Sequence, residues 1–130
     1  ILMILLSRFL QKSKKQGSSS SFSRNYISQT IRYIHLHLNK HLEINQLAEN
    51  IHLSPDYFSR LFTSIMGIRP IKYIQMRRIE RAQLLLATTS HSLEEIAHMV
   101  GLNNRSYFSR LFKAHTGVSP SAYRHTRWTI

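Results

Sequence analysis

The chain contains no cysteine, and only 6 acidic residues stand against 18 lysines and arginines in 130 positions. The first absence excludes disulfides, thiolate metal sites, cysteine nucleophiles and alkyl transfer to sulfur, and it fits a reducing compartment. The second leaves little from which to build general acid–base catalysis. The sequence has no Gly-rich phosphate loop, no paired carboxylates on one element, and no nucleophile–base arrangement with an orienting acid. Neither a catalytic residue, a cofactor nor a metal is expected. Strand-like alternation is also missing. The apolar opening ILMILL (1–6) is far shorter than the roughly 20 residues of a membrane span. It lacks the basic flank and small-residue cleavage site of a signal peptide.

What is present in excess is positive charge. The formal net charge is +12. Arg8, Lys12, Lys14 and Lys15 supply +4 of it within residues 1–21, and residues 22–130 hold 14 Lys+Arg and 6 acids, or +8. An imbalance of this size on a small folded unit points to a polyanionic partner, either nucleic acid or an anionic membrane.

Because the first residue is Ile1, the chain reads as a fragment of a longer protein. Ile1, Leu2, Leu5, Leu6, Phe9 and Leu10 have helical spacing and suit the last helix of an upstream domain. KSKKQGSSSSFS (12–23) is basic and then Gly/Ser-rich, the composition of a flexible linker, so residues 1–23 are assigned to a domain end plus linker. Beyond it the sequence predicts only helices. Ile27, Ile31, Ile34 and Leu38 mark a first; Ile44, Leu47, Ala48 and Ile51 a short second. Ser54-Pro55 opens a third, with Phe58, Leu61, Phe62 and Ile65 inward, ending at Gly67. A long connecting helix runs from Pro70 to about Thr88, with Ile71, Ile74, Arg78/Ile79, Ala82 and Leu85/Leu86 on one face. The plan then restarts. Ser92-x-x-Glu95 is a capping box before Leu93, Ile96, Ala97 and Val100; a helix after Asn103-Asn104 carries Phe108, Leu111, Phe112 and His115 and ends at Gly117; Ser119-Pro120 starts the last.

The restart is a duplication. YFSRLF (57–62) recurs at 107–112, and 9 of 17 positions from Tyr57/Tyr107 to Tyr73/Tyr123 are identical at an offset of 50. Each copy is a short helix, a tight turn and a second helix. In a helix-turn-helix the first helix packs across the second, which is left free to enter a DNA major groove. Phe58, Leu61 and Phe62 must hold the helix to its core, which forces Ser59 and Arg60 outward, and the same holds for Ser109 and Arg110. An outward Arg can bind guanine or clamp a phosphate, and a small Ser lets the backbone approach. A 19-residue connecting helix is roughly 28 Å long, which suits two reading heads about one DNA turn, roughly 34 Å, apart. Two copies with a long helix between them are too few for a self-supporting solenoid.

These residues resemble the DNA-binding domain of the AraC/XylS-type transcription regulators. The resemblance covers about residues 24–126. It is most specific in GLNNRSYFSRLFKAHTGVSPSAYR (101–124), and RRIERAQLLL (77–86) also follows the family pattern. It implies an all-α, homeodomain-like fold of seven helices: a first helix-turn-helix unit at about 24–68, the connecting helix at about 70–88, a second unit at about 91–126, and a tail at 127–130. It further implies sequence-specific binding of double-stranded DNA by Asp56, Ser59 and Arg60 in the first head and Asn104, Arg105, Ser106, Ser109 and Arg110 in the second. Cytoplasmic, nucleoid-associated localisation, contact with RNA polymerase as an activator, and an upstream effector or dimerisation domain are implied by the resemblance alone. The other reading is a basic helical module for protein or membrane contact, with ILMILL as an anchor.

The remaining residues leave alternatives open. Where the second copy has Gly101 in its turn the first has His52, which tolerates positive φ less well. Asp56 is either an acceptor for cytosine N4 or a helix N-terminal dipole residue. His37 and His41 share an i, i+4 spacing near His35, but a zinc site needs a third ligand, so solvated or DNA-side histidines are expected. His115 is placed on the core side of its helix. Tyr57 and Tyr107 either donate to phosphates or pad a helix contact. Arg78 is expected to be structural, Arg77 and Arg81 solvated or near phosphate. Arg124, His125, Arg127 and Trp128 form a basic tail that either touches DNA or frays.

Overall fold

The structure, a computed structural model, describes residues 18–128. All regular structure among them is helical, in seven elements: α1 (Ser18–Leu36), α2 (Ile44–Asn50), α3 (Pro55–Met66), α4 (Pro70–Thr88), α5 (Leu93–Met99), α6 (Arg105–Thr116) and α7 (Pro120–Trp128). The upstream apolar segment of the sequence lies outside the described residues.

Two boundaries differ from expectation. The serine run Ser18–Ser21, with Phe22 and Ser23, is the first part of α1 rather than linker. Serine is an indifferent helix former, not a breaker, and Arg24 donates to Ser21 Oγ at 3.3 Å across one turn. At the other end α7 continues through Trp128, into the residues expected to form a tail after the second unit.

The chain forms two compact units. The first comprises residues 18–36 and Leu42–Tyr73; the second comprises His37–His41 and residues 74–128. In the first, Ile27, Ile34, Leu47, Ala48, Phe58 and Phe62 are buried, with Ile65, Met66 and Tyr73. In the second, Ile79, Ala82 and Leu86 of α4 close over Ile96, Ala97, Val100, Phe108 and Phe112. The long helix is therefore no bare spacer, since most of its length walls the second core. Its predicted inward face starts one turn too early: Ile71 is exposed, and Tyr73 is fully buried in its place. His115 is also exposed, because the second core closes on Phe108 and Phe112 without the further turn that Ile65 and Met66 contribute in the first.

Both cores repeat one aromatic ladder. Phe58 meets Phe62 at 5.9 Å between ring centres, and Phe62 meets the edge of Tyr73 at 5.5 Å. Fifty residues on, Phe108 meets Phe112 at 5.8 Å and Phe112 meets Tyr123 at 5.5 Å. Edge-to-face pairs of this kind add about 0.5–1.5 kcal/mol each beyond the area they bury. The Tyr73 hydroxyl also shares a 3.0 Å hydrogen bond with His35 Nε2.

Helix starts are set locally. Ser54 Oγ accepts from the Tyr57 N–H at 3.3 Å, and Pro55 occupies the first helical position. The predicted capping box is present in both directions between Ser92 and Glu95. Helices α2 and α5 end in the same turn, with Leu53 N–H bonded to Ala48 O at 3.0 Å and Leu102 N–H to Ala97 O at 2.8 Å. That turn requires a left-handed residue, and the two units fill it differently: His52 has φ 58° and Gly101 has φ 82°. The His52 side chain is exposed, so its removal loses no packing. His52→Gly is expected to stabilise the first unit by about 0.5–1 kcal/mol, as strain relief outweighs the added freedom of the unfolded chain. The urea midpoint of the variant against wild type checks this.

Two arginines tie the second unit together. Arg78 donates to Gly101 O at 3.2 Å and Lys40 O at 2.7 Å, and burial pulls the guanidinium pKa below its ordinary value. Arg124, expected in a basic tail, instead donates to Leu86 O, Thr89 O and His91 O at 3.3, 3.2 and 2.7 Å. Its guanidinium fork caps the carbonyl end of α4.

Candidate nucleic-acid interface

The two copies of YFSRLF carry one burial pattern. Tyr57 and Tyr107 are exposed, Phe58 and Phe108 are fully buried, Ser59 and Ser109 are half-buried, Arg60 and Arg110 are exposed, Leu61 and Leu111 are half-buried, and Phe62 and Phe112 are fully buried. Since both phenylalanines of each copy are locked in a core, rotation of α3 or α6 about its axis is fixed. Each helix therefore offers solvent the same letters, Tyr and Arg as exposed residues and Ser in part.

The first turns differ between the units. In α3, Asp56 is exposed in the first turn, which places its carboxylate at the positive end of the helix dipole. It lies four residues before Arg60, on the same side of the helix. In α6, Arg105 and Ser106 are exposed, and Arg105 Nη1 lies 2.7 Å from Glu94 Oε1 of α5. Hydrogen bonding from the backbone at Glu94, and then from Arg105, holds the Glu94 carboxyl below the usual carboxylate range. Asn104 Oδ1 accepts from the Tyr107 N–H at 2.9 Å and caps α6. Its carbonyl oxygen thus has a structural duty, while the residue as a whole is exposed.

The tyrosines at the start of the repeat are not equivalent. Tyr107 Oη accepts from Gln75 Nε2 at 3.2 Å, which ties α6 to α4 and leaves the phenolic proton available to donate. Tyr57 is about half exposed.

In the first unit the structure adds residues that periodicity did not single out. Asp56, Ser59 and Arg60 line an open groove together with Arg69, Ile71 and Lys72. Arg69 and Lys72 belong to the turn before α4 and to its first turn, where no apolar stripe draws attention to them. Their signal in the sequence is only that Ser119 and Ala122 stand at the same positions of the second copy. Among the described residues no cluster of three His, Asp or Glu side chains forms a metal site.

A family model described as a helix-turn-helix domain matches residues 47–126. The arabinose operon regulatory protein of Salmonella typhimurium is 39% identical over 94 residues, which are 72% of this chain and 34% of that protein. The C-terminal domain of AraT, a response regulator from Geobacillus stearothermophilus, is similar with a TM-score of 0.76 at 37% identity, over 78% of this chain and 85% of the other. The DNA-binding domain of AdpA, a global transcriptional factor solved in complex with a target DNA, is similar with a TM-score of 0.75 at 28% identity, over 77% and 90%. The chain spans about a third of the length of the curated relatives it matches.

Proposed function

The chain belongs to the AraC-type family of helix-turn-helix regulators, and from that premise we propose that it binds double-stranded DNA sequence-specifically through α3 and α6, each in its own major-groove segment. The observation that carries this is the doubled exposure pattern: two helices, each fixed by two buried phenylalanines, present the same Ser–Arg pair on a surface rich in positive charge. Lysines and arginines supply a sequence-blind, salt-dependent attraction to phosphate. Bases are then selected by Asp56, Ser59 and Arg60 in one head and by Arg105, Ser106, Ser109 and Arg110 in the other, with Asn104 donating from its amide. Because the first turns differ, the heads read different bases, and a single chain takes an asymmetric site.

The role is binding without catalysis, in the cytoplasm, as the DNA-reading part of a longer regulator. That the chain spans about a third of its relatives supports an effector or dimerisation domain elsewhere in the full protein. Activation by contact with RNA polymerase completes the proposal. The rival, a basic module for membrane or protein contact, is disfavoured by the two outward Ser–Arg pairs; among the described residues no helix is long and apolar enough to cross a membrane.

Selection from a random duplex library, followed by salt titration of the winners, tests the reading. Log affinity is expected to fall linearly with log salt, and selected duplexes should outcompete random ones. Binding indifferent to both sequence and duplex form would sink it. Arg110→Ala is expected to cost about 1–3 kcal/mol and relax preference at one base position, without change in thermal stability. A uniform loss across all sequences reassigns Arg110 to a phosphate.

A further inference from the structure

Arg69 and Lys72 break the local rules of helix design. Arg69 is the N-cap of α4: its carbonyl accepts from the Tyr73 N–H at 2.9 Å. At the same position of the second copy, Ser119 makes the same backbone bond and also accepts from the Ala122 N–H through its hydroxyl at 3.2 Å. Arginine has no acceptor and cannot do this. Arg69 and Lys72 moreover place two cations at the positive end of a 19-residue helix whose first turn contains no acid, an arrangement the dipole disfavours. Both side chains are exposed, and among the described residues neither forms an ion pair, whereas Arg77 and Arg105 have Glu80 and Glu94. Residues that forgo a local gain without internal compensation mark a site of function.

Their location says which function. They share a groove wall with Asp56, Ser59 and Arg60, the outward face of the first recognition helix. A helix with its side chains is about 10–12 Å across, about the width of the major groove. A helix seated there therefore has phosphates directly beside it, where long cationic side chains flanking its reading face end. Lysine binds phosphate as a point charge and arginine as a fork.

We propose that Arg69 and Lys72 form a phosphate clamp on the first head that the second head lacks, having Ser119 and Ala122 instead. The clamp rests on the DNA-binding reading above and goes beyond it. It places two phosphate contacts of the first head at positions that are neutral in the second, whose own cations, Arg105 and Lys113, lie on α6 itself.

The test uses the full chain and a random-sequence duplex, with affinity measured against salt, plus one selected duplex for specificity. Arg69→Ser and Lys72→Gln are each expected to flatten the log–log slope by about 0.9, and together to weaken binding about 30-fold near 0.15 M salt. Both duplexes should weaken equally, so that their affinity ratio holds. Ala122→Lys, which gives the second head one cation of the pair, is expected to steepen the slope by a similar step. Arg69→Ser should also raise the thermal midpoint, because it restores the cap; a residue serving only the fold would not trade stability against salt slope in this way. If wild type binds with a steep slope and the variants keep it, the clamp is wrong and the DNA reading stands. A flat wild-type slope overturns the DNA reading and the clamp with it.

Discussion

Gly101→Ala is expected to destabilise the second unit by about 3 kcal/mol, several times the strain that His52 costs in the same turn of the first unit. Two costs combine. Gly101 sits at φ 82°, where a Cβ crowds the following carbonyl at about 1–2 kcal/mol. In addition, a Cβ built there falls well inside contact distance of the Leu38 carbonyl oxygen, and 3.1 Å from Arg78 Cζ. Overpacking against backbone typically costs a further 1–3 kcal/mol. The Arg78 guanidinium would be displaced from Gly101 O and Lys40 O, so the loss spreads to the segment His37–His41. Urea unfolding followed by circular dichroism measures the effect. A loss below about 1 kcal/mol, close to the intrinsic left-handed cost alone, would show that Leu38 and Arg78 yield freely and that the close approach is not a constraint. The contrast with His52 adds space to dihedral: the turn of the first unit holds an exposed histidine, whereas in the second the Leu38 carbonyl lies against the turn.

Phe112→Ala is expected to cost about 3–5 kcal/mol, the range for truncating a buried aromatic side chain. Phe112 is fully buried and is the middle rung of the ladder between Phe108 and Tyr123, so its removal leaves a cavity and breaks two ring contacts at once. Because it fixes the rotation of α6, DNA binding should fall along with stability. Arg110, two residues earlier, gives the opposite phenotype: binding changes and the unfolding midpoint does not. The pair would separate the scaffold letters of YFSRLF from those proposed to read bases. Should Phe112→Ala unfold at the wild-type urea concentration, the ladder would not be what holds α6.

Much of this architecture is legible in the sequence because one constraint dominates it. The buried positions of α3 and α6 recur with helical spacing, so placing Phe58 and Phe62 inside places Ser59 and Arg60 outside with no further information. The Ser54 cap and the Ser92–Glu95 box are equally local. What was not legible depends on contacts distant in sequence. Arg124 reads as one more cation of a basic tail, and only the fold brings it to carbonyls 33 to 38 residues earlier. The pairing of Arg105 with Glu94 spans 11 residues and a turn. Ile71 and Tyr73 exchange places because α4 turns its first residues to one core and the rest to another, so no single stripe describes it. Arg69 and Lys72 belong to no periodic face, and a groove makes them visible.

The Arg124 contacts also order events in time. Chains emerge from the ribosome N-terminus first, at about 5–20 residues per second. The buried residues of the first unit end at Tyr73, so that head can assemble while the rest is still being made. The second cannot finish, because the carbonyl end of α4 waits for a guanidinium encoded 36 codons after Thr88. During synthesis the chain is therefore expected to pass through a stage in which the first unit is formed and the second is not. In that stage the helix end that Arg124 caps and the Phe112 ring that Tyr123 meets would lack these partners.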